Sequence, residues 1–170
     1  YEKALEFYLK SLFIRKKLAN KKGMADSFSN IGTIYHSQGN YEKALEYYSK
    51  SLAIKEELSD KKGMGDSYNN IGIIYENQDN YEKALEYHSK SLAIKEDIDD
   101  KKGMAVSCNN IGNIYFYQGD YEKSLEYYSK SLAIKKEIGD KKGIGSSYNN
   151  IGVIYYKQGN YEKALEYFSK

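Results

Sequence analysis

Between Tyr41 and Leu58, apolar or aromatic side chains fall at positions 41, 44, 45, 48 and 52, the spacing that places them on one face of an α-helix. Tyr47, Ser51, Ile54 and Leu58 trace a second stripe. A helix with two such faces needs cover on two sides. The pattern then changes phase: Met64, Tyr68, Ile71, Ile74 and Tyr75 predict another helix over Lys61 to Asn77, with Asp60 as its N-cap. Asn40 is the N-cap expected before Tyr41, and Gly39 suits the left-handed residue that ends the preceding helix. Asp79 replaces that Gly one repeat later and predicts a mildly strained backbone. Glu46 and Lys50 line the exposed side as an i, i+4 pair that adds only ~0.2–0.5 kcal/mol. No segment alternates with period two and no loop exceeds a few residues, so the chain reads as all-α.

Residues 41–80 and 81–120 are identical at 28 of 40 positions, which marks stacked copies of one unit. The same phase sets the boundaries of a single array over 1–170. Residues 1–20 form a lone second helix, 21–60, 61–100 and 101–140 are helix pairs, and 141–170 is a first helix with a truncated second one. Gly72 lies inside a first helix, where it costs roughly 1 kcal/mol relative to Ala. Gly32, Gly112 and Gly152 repeat it, which predicts close approach of two helix backbones at that level.

These residues resemble the tetratricopeptide repeat family over essentially the whole chain. The family's succession of a large aromatic, Leu-Gly, Tyr, Gly, Tyr, Ala, aromatic and Ala is matched by Tyr68, Ile71-Gly72, Tyr75, Tyr81, Ala84 and His88, and likewise in the other units. The departures are a 40-residue period in place of the common 34, the absence of Pro, Ser91 where Ala is usual, and an added Asp-Lys-Lys-Gly. Such longer repeats are similar to those of kinesin light chains and spindle-orientation adaptors. The resemblance implies an all-α, right-handed superhelical solenoid of antiparallel helix pairs, with first helices lining a concave groove that binds peptides of other proteins.

Composition narrows the functional classes. The 26 Lys and Arg against 24 Asp and Glu leave a net charge of +2, which argues against nucleic acid or a membrane surface as an obligatory partner. With 41% hydrophobic residues and no proline, where average usage predicts roughly eight, the chain is neither disordered nor collagen-like. No apolar run is long enough to cross a bilayer, and Tyr1-Glu2-Lys3-Ala4 shows no signal-peptide pattern, so a soluble, cytoplasmic piece of a longer protein is expected. A single Cys excludes an internal disulfide framework. Cys108 stands where Phe28, Tyr68 and Tyr148 stand in other units and reads as a small buried hydrophobe; His88 replaces Tyr48 and Tyr128 and reads as a core residue. With two His, no Cys-x-x-Cys, no His-x-x-x-His and no glycine-rich phosphate loop, the expectation is no metal, no cofactor and no enzyme activity.

Subtracting the packing positions leaves a candidate groove face on each first helix. It carries Asp66, Asn69, Asn70, Ile73, Glu76 and Asn77 in one unit, and Asp26, Ser29, Asn30, Thr33, His36 and Ser37 in the unit before it. Further on it carries Val106, Asn109, Asn110, Asn113, Phe116 and Tyr117, then Ser146, Asn149, Asn150, Val153, Tyr156 and Lys157. Otherwise near-identical repeats differ most here, as a surface reading a non-repetitive ligand requires, although drift on a solvated face gives the same pattern. Asn30, Asn70, Asn110 and Asn150 could hold an extended peptide backbone, each amide supplying donor and acceptor, or could bridge neighbouring helices. Phe116, Tyr117 and Tyr156 add apolar anchors. The pairs Lys21-Lys22, Lys61-Lys62, Lys101-Lys102 and Lys141-Lys142 form either a basic ridge for an acidic partner or a solvated loop. Uncapped terminal helices support a second possibility, a structural module whose copies stack end to end into homo-oligomers.

Overall fold

The computed structural model describes residues 1–170 as nine α-helices without a strand. They are α1 (Glu2–Lys17), α2 (Lys21–Ser37), α3 (Tyr41–Glu57), α4 (Lys61–Asn77), α5 (Tyr81–Asp97), α6 (Lys101–Tyr117), α7 (Tyr121–Glu137), α8 (Lys141–Lys157) and α9 (Tyr161–Phe168). They form two compact units, Tyr1–Ile94 and Lys95–Lys170, with the division inside α5.

Each helix from α2 onward starts where a side-chain acceptor meets the free N–H groups of a first turn. Asn20, Asp60, Asp100 and Asp140 accept from the amides of Gly23, Gly63, Gly103 and Gly143 at 2.9–3.0 Å. Asn40, Asn80, Asp120 and Asn160 accept from Lys43, Lys83, Lys123 and Lys163 at 3.1–3.2 Å. Each intervening turn closes on a left-handed residue: Gly39, Gly119, Gly139 and Gly159 take it without a Cβ penalty, whereas Asp79 is forced to φ 56° as its sequence position predicted. Ala19, Ser59 and Asp99 share that conformation at the other class of turn, a strain the pattern had not flagged.

Within the first unit, Ala25 meets Ser51, Gly32 meets Tyr48 and His36 meets Tyr41. Rising numbers in α2 therefore face falling numbers in α3, so the pair is antiparallel. Ala44, Tyr48, Ile71 and Ile74 form the core, packed by Tyr35, Leu45, Leu52, Tyr75 and Tyr87. In the second unit Ala105 meets Ser131, Gly112 meets Tyr128 and Phe116 meets Tyr121, again antiparallel. Its core is Tyr128, Ile151 and Ile154, with Phe116, Leu125, Leu132, Tyr155 and Tyr167 against it. Each fully buried Ile contributes roughly 1.5–3 kcal/mol of transfer free energy.

Two details revise the reading of the pattern. The internal glycines make room for a ring of the second helix, and at Gly112 the approach also lets Ser124 Oγ donate to the glycine carbonyl at 2.8 Å. A Cβ on Gly32 would stand 2.8 Å from the Tyr48 ring, on Gly72 2.7 Å from the His88 imidazole, on Gly112 2.7 Å from Tyr128 and on Gly152 2.6 Å from Phe168. The buried stripe of α3 is Ala44, Tyr48, Ser51 and Lys55, so Ser51 packs beside Ala44 and Tyr48, while Tyr47 and Ile54 of its expected stripe are half-buried and Leu58 is exposed. Ser51, Ser91 and Ser131 occupy the place where the family prefers Ala. Each hydroxyl donates to a first-helix carbonyl, Ala25, Gly65 or Ala105, at 2.8–2.9 Å, which removes the cost of burying it.

Gly72→Ala gains about 1 kcal/mol of helix propensity but drives a methyl into the imidazole. It is expected to lower stability by a net ~1–2 kcal/mol in urea unfolding; unchanged or higher stability would show that the ring gives way freely.

Candidate peptide-binding faces

The buried positions of the first helices recur in one register: Ala25, Ser27, Ile31, Gly32 and Ile34 in α2, and Gly65, Ser67, Ile71, Gly72 and Ile74 in α4. None of the candidate groove residues falls in that set. In the first unit the face presents Asp26, Asn30, Thr33, Asp66 and Asn77 to solvent, with Asn69, Asn70, Ile73 and Glu76 half-buried between them. Asn77 Nδ2 donates to His36 Nε2 at 2.8 Å, tying successive first helices at an offset of 41 residues, one more than the repeat. Thr33 Oγ1 lies 3.1 Å from the Tyr48 hydroxyl, and burial pushes that phenol above its ordinary range. His88, in the place of Tyr48, is fully buried with both ring nitrogens unpaired and has the Glu76 carboxylate 3.8 Å away.

The second unit is built differently on the same register. Phe116, Tyr117 and Tyr156 replace charged or small polar residues, and Tyr117 and Tyr156 are more than half exposed. Phe116 sits edge-on to Tyr117 at 5.9 Å and tilted on Tyr121 at 5.8 Å, which fixes its orientation. Asn150 Nδ2 donates to Asn109 Oδ1 at 3.1 Å, again across 41 residues, and the Tyr128 hydroxyl donates to Asn113 Oδ1 at 2.8 Å. Asn110 is half-buried, and Asn149 and Lys157 are exposed. Asn113, Phe116, Tyr117, Tyr128, Asn150 and Val153 line a cleft of about 160 Å³ that is open to solvent on one side. Tyr128 is the member the pattern missed: its spacing marks it as core, while its hydroxyl reaches the opposite side of the first helix.

The other singled-out features lie elsewhere. Lys21 and Lys101 of the basic ridge pair with Glu57 and Glu137 of the second helix in the same repeat, so part of its charge is neutralised. Cys108 is buried, and burial pushes its thiol up to about 11, with no thiolate at neutral pH. No helix is long and apolar enough to cross a membrane.

Antiparallel hairpins in a 40-residue register, each with a ring seated on an internal glycine, define a helical-repeat protein. A tetratricopeptide repeat family model matches residues 1–57, 23–97, 63–137 and 103–170. The chain belongs to the tetratricopeptide repeat family. Its fold is similar to that of BtubC (BKLC) from P. vanneervenii, at 22% identity and TM-score 0.88, covering 99% of this chain and 70% of that one. It is also similar to a kinesin light chain-type protein of Podosopora anserina with nearly identical TPR-like repeats, at 16% identity and TM-score 0.79, covering 99% and 83%. Aspartyl phosphate phosphatase F from Bacillus subtilis shares the fold at 19% identity and TM-score 0.81, covering 97% and 52%. Among curated proteins, none matches the chain.

Behind these faces runs a series of buried cations. Lys55 and Lys135 are 8% and 7% exposed, and their ammonium groups reach Ser67 Oγ and Ser147 Oγ at 2.9 Å. Arg15 makes the equivalent bond to Ser27 Oγ at 2.9 Å. Burial holds Lys135 below the usual lysine range, only partly offset by the Asp140 carboxylate. The charged form therefore costs stability at neutral pH. That cost is fully present below the depressed folded value and vanishes as pH rises towards the unfolded one, ~10.4. Lys135→Met is expected to raise stability by about 1 kcal/mol at pH 7, with Ser147 turning to a carbonyl of its own helix. Urea unfolding across pH should show the advantage shrinking on the alkaline side; a constant or growing gap would contradict the assignment.

Proposed function

We propose that the chain is a non-catalytic scaffold that holds a peptide segment of a partner protein against the open faces of its first helices. The observation that carries this reading is the placement of sequence variation. Positions 67, 71, 72 and 74 and their equivalents pack and are identical in the four units, while positions 66, 73, 76 and 77 and theirs differ and remain unburied. The family's general role in protein–protein interaction points the same way. Asparagines serve both purposes considered above. Asn150 uses one N–H on Asn109 and keeps its acceptor, so an inter-helix bridge can also present an amide oxygen to a ligand backbone. An extended ligand loses conformational freedom on docking, so affinity for one segment is of micromolar order.

The test is a displayed library of random peptides selected on the chain, with calorimetry on the selected sequences. Replacing Asn70 and Asn110 with Ala is expected to weaken those peptides about tenfold with helicity unchanged. Unaltered affinity would remove these asparagines from the binding face.

A second reading rests on exposed apolar surface at the outer helices. Phe7, Ile14 and Leu18 of the α1 region are 69%, 56% and 71% exposed, and Leu165 of α9 is 69% exposed. Copies associating end to end through these faces would form heterologous, propagating contacts. Light scattering is then expected to show mass rising with concentration; a monomer throughout would end this reading.

A further inference from the structure

We infer that the cleft of the second unit is the anchor pocket of that binding face and takes one uncharged, phenylalanine- or leucine-sized side chain of the partner, with the adjoining peptide group held by Asn113 and Asn150. This rests on the scaffold reading and narrows its ligand. The lining of Asn113, Phe116, Tyr117, Tyr128, Asn150 and Val153 carries no charge, so an ionic side chain entering it would lose hydration without a counter-charge. Its volume of about 160 Å³ has room for one ring or branched aliphatic side chain entering from its open side, since ~150 Å³ accommodates benzene. One wall is aromatic and fixed, since Phe116 is braced by Tyr117 and Tyr121. The other is amide. Asn113 Oδ1 accepts from Tyr128, and the Asn113 NH2 group remains as donor; Asn150 Nδ2 gives one N–H to Asn109, and Asn150 Oδ1 remains as acceptor. A donor and an acceptor beside an apolar slot are what one peptide unit with an apolar side chain requires.

The first unit offers no such pocket chemistry in the same register. Thr33, His36 and Ser37 stand where Asn113, Phe116 and Tyr117 stand, and His36 already accepts from Asn77. Its face also carries Asp26, Asp66 and Glu76 and no Lys or Arg, whereas the only charge among the candidate groove positions of the second unit is Lys157. The apolar anchor is thus assigned to the second unit alone.

The probe is N-acetyl-phenylalanine methylamide titrated into the full chain by NMR. A dissociation constant of millimolar order is expected for so small a ligand, with shifts at the side-chain amides of Asn113 and Asn150 and the Val153 methyls. N-acetyl-glutamate methylamide is expected to bind at least about tenfold more weakly. Phe116→His with Tyr117→Ser installs the residues that α2 uses in this register, and should weaken the phenylalanine probe about tenfold with the melting profile kept. If that variant loses helicity, Asn113→Thr, also taken from α2, should weaken it about threefold. Absent or scattered shifts, equal binding of the glutamate analogue, or unchanged affinity in a folded variant would overturn the pocket. Selected peptides that depend on Asn70 and Asn110 but ignore Phe116→His with Tyr117→Ser would overturn the pocket and leave the scaffold reading standing. A probe that maps to the pocket while no peptide depends on the face would do the reverse.

Discussion

Each first helix gives up a side chain at one interior position, and a ring sixteen residues further on takes the space. Gly112 without a Cβ accepts the flat side of Tyr128, and Gly32 does the same for Tyr48. The penalty of an interior glycine is offset by aromatic area removed from water and by dispersion contacts that only a close approach allows. This contact fixes the depth and register of the hairpin. Once the ring lies on the glycine, Ala25 and Ser51, or Ala105 and Ser131, come within hydrogen-bond reach, and the serine hydroxyl closes on a backbone carbonyl.

The same contact turns the first helix so that its other side stays free. In two repeats the ring's hydroxyl passes beyond the glycine and touches that free side, at Thr33 in one and Asn113 in the other. The core residue thereby orients a residue of the proposed binding face, linking the packing of a hairpin to what its surface can hold. Where the ring is the imidazole of His88, no such bond forms and both nitrogens stay unpaired beside Glu76. Repeats that are nearly identical in their core thus differ in how their open faces are set.

Much of the fold was legible because its signals are local. The caps at Asn40 and Asp60, the limits of α4 and the strain at Asp79 each follow from one or two residues and a period. What escaped the pattern depends on partners distant in sequence. Lys55 reads as a surface residue until its stem is laid along the hairpin and its ammonium found at Ser67. Gly72 signals proximity, but not that its neighbour is a ring. The offset of 41 that joins Asn109 to Asn150 and His36 to Asn77 has no trace in a 40-residue repeat. The candidate face was legible as a set of variable positions, and the pocket was not, because Tyr128 belongs to both core and surface.

The claim that the ring occupies the glycine's missing side chain is tested most directly by a double-mutant cycle on Gly112→Ala and Tyr128→Leu in urea unfolding. The account predicts that alanine at 112 costs at least ~1 kcal/mol less once the ring is gone. Effects that add to within about 0.5 kcal/mol would show that the two positions do not share this contact.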